Sequence, residues 1–181
     1  VLYARGVRVL VIDGDRSANQ TLVDLLLVVC VLLWAVAVVA YAWPLQSLAN
    51  SSGPGVVLLD TIVTKVVGAG IATAALLIYI FALLAFGQSW RVGIDRRKPG
   101  PLVTEGVFSW TRNPIYVSVE LFIFGTFLME GRMIHLVLAL LIAGMTHALI
   151  LREERFLVDT YGQAYREYVQ RVGRYLDWRV I

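Results

Sequence analysis

Three stretches of this chain run for about twenty residues each without a lysine, arginine, aspartate or glutamate: Leu25 to Trp43, Val66 to Gly87, and Met133 to Leu151. A helix rises about 1.5 Å per residue, so roughly 20 apolar residues cross a hydrocarbon core of about 30 Å. Such runs are too long and too uniformly apolar for the half-buried elements of a soluble domain. A fourth run, Ile115 to Met129, is shorter and contains Glu120, while the third holds only His135 and His147. The sequence therefore predicts an all-α polytopic membrane protein with four transmembrane helices, at about 25–43, 66–87, 115–129 and 133–151. Its composition agrees, because 59% of the residues are hydrophobic and only 16% charged, against about 45–50% apolar in soluble domains.

The cations give the expected orientation. Lysine and arginine concentrate in cytoplasmic segments. If both termini face the cytoplasm, fourteen of the sixteen basic residues lie on that side, leaving only Lys65 and Arg132 outside. The net charge of +3 then reflects basic residues beside anionic head groups, and nucleic acid is not an expected partner. Cys30 lies in the first span, where it serves helix packing and has no second cysteine for an internal disulfide. Residues 1–21 read as a cytoplasmic N-terminal arm and 22–181 as a single membrane-embedded domain. No signal peptide is expected at the start of the chain.

Small residues mark close contacts in the second span. Gly68 with Ala72, and Gly70 with Ala74, repeat at a spacing of four, which lets neighbouring helices approach closely in lipid. Asp60 and Lys65 reach the outer interface before that span. His135, near the outer end of the last span, is expected at the interface.

The only long polar segment between spans is SWRVGIDRRKPGPLVTEGVFSWTRNPIY, residues 89–116. Its prolines and glycines predict an ordered, irregular cytoplasmic loop. Pro114 suits the first turn of the following helix, where its missing N–H costs little, and Asn113 suits the cap. A second polar cluster, REER at 152–155, appears where the last span returns to the same side. The two helices between these clusters are separated only by EGR, so they form a tight hairpin whose cytoplasmic mouth must bring both clusters together. From 152 to 178, Phe156, Leu157, Tyr161, Tyr165, Tyr168, Val169, Val172 and Leu176 repeat with arginines between them. That spacing predicts an amphipathic helix on the cytoplasmic leaflet, serving as a lid or an anchor.

Two passages, LVTEGVFSWTRNPIY at 102–116 and EERFLVDTYGQAYREYVQRVGRYL at 153–176, resemble the R-(H/N)-P-x-Y element and the Glu-Glu element with its G-x-x-Y tail of the membrane-embedded methyltransferases. That group includes the isoprenylcysteine carboxyl methyltransferases and the phospholipid N-methyltransferases. The resemblance covers roughly the second half of the chain. It implies an S-adenosyl-L-methionine-dependent methyltransferase acting on a lipid-borne or hydrophobic acceptor among membrane lipids, carboxyl methyltransferase-like, with a phospholipid amine N-methyltransferase as the alternative. A non-enzymatic membrane scaffold is the alternative of another class.

The residues make chemical sense of that cofactor. Its carboxylate calls for cationic or amide donors, for which Arg112 and Asn113, with Pro114 between them and the helix, are candidates. Its ammonium and ribose diol call for carboxylates, namely Glu153 and Glu154. Tyr116 and Phe108 offer aromatic faces to the sulfonium and adenine, while Val103 and Gly106 offer backbone contacts to the base. A carboxylate acceptor is already nucleophilic, whereas an amine needs a general base; Glu120 and His147 are the candidates, with Arg152 beside them as a third catalytic candidate. Glu120 has a structural alternative, pairing with Arg112 or Arg152. His147 has one too, in hydrogen-bonded packing. A metal site is not expected. His135 and His147 stand twelve residues apart, about 18 Å along one helix, and cannot grip one haem iron.

Overall fold

A computed structural model of the chain describes residues 18–42, 56–86 and 100–176. Residues 1–17, 43–55, 87–99 and 177–181 lie outside the described residues, so of the expected N-terminal arm only 18–21 is described, as the first turn of α1 and not as a separate arm. Among the described residues five α-helices follow one another: α1 (Ala18–Ala42), α2 (Ile62–Phe86), α3 (Pro114–Glu130), α4 (Met133–Tyr161) and α5 (Gln163–Arg171). Three of them contain stretches long and apolar enough to cross a membrane, Gln20–Ala40, Ile62–Ala85 and Met133–Tyr161. The chain is an integral membrane protein. With 17 residues, α3 is only about 25 Å long.

α2 and α3 pack backbone to backbone. A Cβ at Gly68 would stand 2.5 Å from the carbonyl oxygen of Gly125, and one at Gly125 would stand 2.7 Å from that of Gly68. Ala72 is buried beside them. Gly70 has nothing within 4 Å and Ala74 is exposed, so of the two expected stripes only Gly68 with Ala72 is used against another described helix. α1 lies against α3 and α4, where Cys30, Ile123 and Ile142 form a buried cluster flanked by Leu27, Val31 and Trp34. The indole N–H of Trp34 donates to Thr126 Oγ1 at 3.0 Å. Cys30 is thus a packing residue, as its position implied.

The α3–α4 hairpin closes through Gly131, whose φ of 64° is cheap for glycine. Its carbonyl accepts the N–H groups of Leu58 and Leu59 at 2.7 and 3.1 Å, and Met133 N–H donates to Val56 O at 2.9 Å. The segment entering α2 is therefore pinned across the hairpin turn. A side chain at Gly131 would collide with the Leu59 carbonyl. One expectation fails here: His135 is completely buried instead of lying at the interface.

α4 runs unbroken for 29 residues. That is about 43 Å, some 13 Å more than a hydrocarbon core, so the helix that spans the membrane also carries the REER cluster. The expected boundary at 151/152 does not exist; the chain turns at Gly162, with φ 54°. The stretch expected as one interfacial helix, 152–178, is described as far as Leu176, and to that point it is divided into the end of α4, the nine-residue α5 and a non-helical strap from Val172 to Leu176. The apolar face of α5 is turned to protein. Tyr165, Tyr168 and Val172 form a buried cluster with Leu102, Leu157, Val158 and Tyr161, because aromatic rings at that spacing find partners on α4 and on the loop before α3.

Candidate active site

The polar loop reaches the mouth of the hairpin through a 3-10 turn, Gly106–Ser109. Gly106 takes a φ of 63°, and Trp110 N–H donates to Val107 O at 3.2 Å. This delivers Thr111, Arg112 and Asn113 to the start of α3, where Pro114 occupies the first turn as expected. Asn113 stands at the cap position, yet its side chain makes no cap hydrogen bond. It is used elsewhere.

The carboxylate of Glu154, on α4, gathers four donors. Arg112 Nη2 at 2.9 Å and Asn113 Nδ2 at 3.4 Å reach Oε1, while Arg174 Nε at 3.0 Å and Nη2 at 2.7 Å reach Oε2. A carboxylate offers about four acceptor positions, so Glu154 is saturated by the protein itself. Arg112 also donates through Nη1 to the carbonyls of Val169 and Val172, both at 3.1 Å. Its backbone N–H donates to Gly173 O at 3.0 Å. The carbonyl of Arg174 accepts from Thr111 Oγ1 at 3.0 Å and Asn113 Nδ2 at 3.1 Å. The strap is thereby sewn to the RNP element, and the side chains of Arg112 and Glu154 are only 7% and 12% exposed. The Glu154 hydrogen bonds hold the Arg174 guanidinium above its ordinary pKa.

Glu153, the next residue, faces a different way and accepts from the hydroxyl of Tyr116 at 2.9 Å. Successive helical residues diverge by about 100°, so one doublet serves two partners. A cleft of about 410 Å³ lined by Ala85, Leu102, Val103, Thr104, Glu105 and Gly106 opens along the loop that leads to these groups. Phe108, expected to present its ring to a ligand, instead packs into a buried cluster with Ala82 and Val107. Its carbonyl accepts the hydroxyl of Tyr168 at 2.6 Å.

A second polar station sits deeper on α4. The Thr146 hydroxyl donates to Glu120 Oε1 of α3, and His147 Nδ1 shares a hydrogen bond of 2.6 Å with the hydroxyl of Tyr175, the two rings stacked with centroids 6.1 Å apart. The Tyr175 phenol is pushed above its ordinary pKa, first by burial and then by the charge of Glu120. The alternative weighed for Glu120, a pairing with Arg112 or Arg152, does not form. Arg112 is committed to Glu154, and Arg152 pairs with Asp24 of α1 at 3.0 Å.

The site thus joins Arg112, Asn113 and Glu154 at one node and Tyr116 with Glu153 beside it; Arg152 turns to α1. Arg174, Thr111, Tyr165 and Tyr175 were not singled out from the sequence. Arg174 is one of several arginines in the tail, and nothing in its spacing marks it as the partner of a glutamate twenty residues earlier. The single available sign was the tyrosine of the G-x-x-Y tail, Tyr165.

Apolar helices that enclose one saturated charge node at the mouth of a hairpin define a polytopic membrane protein with a built polar site. The chain belongs to the phospholipid methyltransferase family, whose model matches residues 63–164. Over 94 residues it is 31% identical to the protein-S-isoprenylcysteine O-methyltransferase of Schizosaccharomyces pombe, covering 50% of this chain and 40% of that protein. Over 92 residues it is 38% identical to the cobalt-zinc-cadmium resistance protein CzcN of Cupriavidus metallidurans, covering 50% of this chain and 42% of that one. The chain thus spans about two fifths of the length of these curated relatives. No solved structure matches.

Proposed function

We propose that this protein is an S-adenosylmethionine-dependent methyltransferase that modifies a lipid-borne or hydrophobic acceptor at the membrane. The observation that carries the reading is the 2.9 Å contact between Arg112 and Glu154, which joins the RNP element to the Glu-Glu element across the mouth of the hairpin. Family membership and the likeness to an isoprenylcysteine O-methyltransferase support the same chemistry. In this reading α3 is a fourth, short crossing, and the site opens to the cytoplasm, as the distribution of basic residues favours.

The residues present fit the cofactor. When bound, it supplies a methyl group on a positively charged sulfur, open to displacement by a nucleophile. Glu153 keeps one carboxylate oxygen beyond the Tyr116 bond and is the carboxylate suited to the ammonium or the ribose diol. Tyr116 lies beside it with an aromatic face for the cation. Val103 and Gly106 line the cleft suited to the base, and Gly106, with no side chain and nothing within 4 Å of where a Cβ would stand, leaves the backbone there open. Arg112, Asn113 and Glu154 hold the strap against the loop, and the two guanidiniums of Arg112 and Arg174 around the one Glu154 carboxylate leave a net positive edge for the carboxylate. The protein contributes position and exclusion of water.

A carboxylate acceptor, of the kind named by the Schizosaccharomyces relative, needs no base. An amine acceptor must lose a proton, and the station of Glu120, Thr146, His147 and Tyr175 is the group of side chains able to take it. Incubation of membranes holding the full chain with methyl-labelled cofactor tests the reading. Label is expected in a lipid-soluble product, as a base-labile ester for a carboxylate acceptor or as a base-stable N-methyl group for an amine. Absence of cofactor binding to the purified protein sinks it.

A further inference from the structure

The deeper station draws one contact from outside the α3–α4 hairpin. Tyr175, in the strap, sets its hydroxyl 2.6 Å from His147 Nδ1 and stacks its ring on the imidazole, the two planes 13° apart. Core packing does not demand this contact, because Tyr175 is 37% exposed. Nε2, on the opposite edge of the His147 ring, meets no hydrogen-bonding group among the described residues.

What holds Tyr175 in place is the Glu154 node. The carbonyl of Arg174 accepts from Thr111 Oγ1 at 3.0 Å and from Asn113 Nδ2 at 3.1 Å. That carbonyl belongs to the planar peptide unit that ends at the Cα of Tyr175, so two donors before α3 fix the point from which the phenol projects. The side chain of Arg174 meanwhile grips Glu154 Oε2 through Nε and Nη2. Adjacent strap residues thereby serve both polar groups of α4. A strap that leaves Glu154 takes the phenol away from His147.

The hydrogen bond at one imidazole nitrogen decides which nitrogen carries the proton. Burial holds the Tyr175 phenol above its ordinary pKa, so at neutral pH it is a hydroxyl, able to donate or to accept. With Nδ1 occupied, Nε2 is the nitrogen left to receive a proton. It has a lone pair for that purpose only when the ring proton sits on Nδ1 and points at the phenol oxygen.

We propose that Tyr175 is a positioning residue: its oxygen accepts the Nδ1 proton of His147 and leaves Nε2 bare to take a proton from an amine acceptor, an arrangement that lasts only while Arg174 keeps the strap on Glu154. This rests on the reading of the deeper station as the place where an amine gives up its proton. The proton and its positive charge pass from the ammonium to the ring, and the nitrogen keeps the electron pair that makes it a nucleophile.

The chain has only two histidines, His135 and His147, so 15N labelling of histidine reads both rings by NMR in detergent. At about pH 8 an ordinary imidazole is neutral, and His147→Gln assigns the His147 signals by their loss. Wild-type His147 should show one tautomer, protonated at Nδ1. Tyr175→Phe keeps the stacked ring and should give a mixture of tautomers; Arg174→Gln should give the same mixture with Tyr175 intact. In vesicles of phosphatidylethanolamine with methyl-labelled S-adenosylmethionine, Tyr175→Phe should lower kcat about tenfold, part of the roughly 10²–10⁴ that a placed base supplies, with KM for the cofactor unchanged. A wild-type ring that is mixed or protonated at Nε2 overturns the proposal, as does a tautomer that Tyr175→Phe leaves alone. A tautomer that Arg174→Gln leaves alone overturns its dependence on the Glu154 node. A single Nδ1-protonated ring that answers to both variants, in a chain that binds S-adenosylhomocysteine and methylates no amine, sinks the proton reading and leaves the positioning contact standing.

Discussion

α4 carries two polar stations that solve the problem of buried charge in opposite ways. At Glu154 one carboxylate faces two guanidiniums and an amide, every acceptor position is filled, and the strap is locked in place. At Thr146 and His147 the side chains meet few partners: Glu120 receives the Thr146 hydroxyl, which also reaches the Ala143 carbonyl, and His147 shares one hydrogen bond with the Tyr175 phenol. Saturation makes a site rigid, and sparseness leaves it chemically available. The first station therefore holds the architecture, and the second is the one the proposed reading leaves open to a proton.

The contrast is broken most severely by Glu154→Ala. Arg112 would keep its buried position and lose its counter-charge, which costs about 3–5 kcal/mol for a buried pair. The protein should melt far lower in detergent, and the strap should become protease-sensitive. Glu153→Gln should separate binding from architecture. Cofactor affinity is expected to fall about tenfold, as for one charged hydrogen bond, while the melting temperature stays close to that of the wild type because Tyr116 still finds an amide oxygen. A Glu153→Gln protein that melts as low as Glu154→Ala would erase the distinction between the two neighbours.

Alkali probes the aromatic side of the first station. Burial raises the phenols of Tyr165, to about 12, and of Tyr168. Between pH 10 and 12 the unfolded chain loses these protons and the folded chain keeps them. The stabilisation is whole below about pH 10 and drains away as pH rises toward the folded value. Melting temperature should fall across that window, and Tyr165→Phe should flatten the fall. At the second station, Glu120→Gln is expected to leave melting nearly unchanged and to lower turnover with an amine acceptor only; equal loss with a carboxylate acceptor would deny it a role with protons. The smallest effect belongs to Tyr175→Phe, which removes one hydrogen bond at a partly exposed ring, worth about 0.5–1.5 kcal/mol.

Much of this was written in the sequence, for identifiable reasons. Charge-free runs disclose helices because lipid tolerates little else, and the short EGR turn forces the RNP and REER clusters to one mouth. Pro114 marked the start of α3 because its ring suits a first turn. The sequence was silent on which charge meets which. For Glu120 a general-base role and a pairing with Arg112 or Arg152 both stood open; Thr146 meets it instead, while Glu154 and Asp24 hold the two arginines, a choice set by helix rotation and not by composition. His135 looked interfacial from its place near a helix end, but the Val56–Leu59 segment crosses the hairpin turn beside it, a tertiary contact that no local pattern announces. That α4 continues past 151 as one rod was hidden too: a helix was expected from 152, but lying on the leaflet and not prolonging the span.

That unbroken helix makes the site a fixed gauge. His147 and Glu154 are seven residues apart, two turns, so they lie on nearly one stripe about 10 Å from each other, and neighbouring strap residues Tyr175 and Arg174 touch them in turn. A bilayer that thickens or thins can tilt the rod, but cannot change the interval between its two marks. Any acceptor whose reactive atom is to meet the deeper mark must therefore bring the same reach in every membrane it comes from.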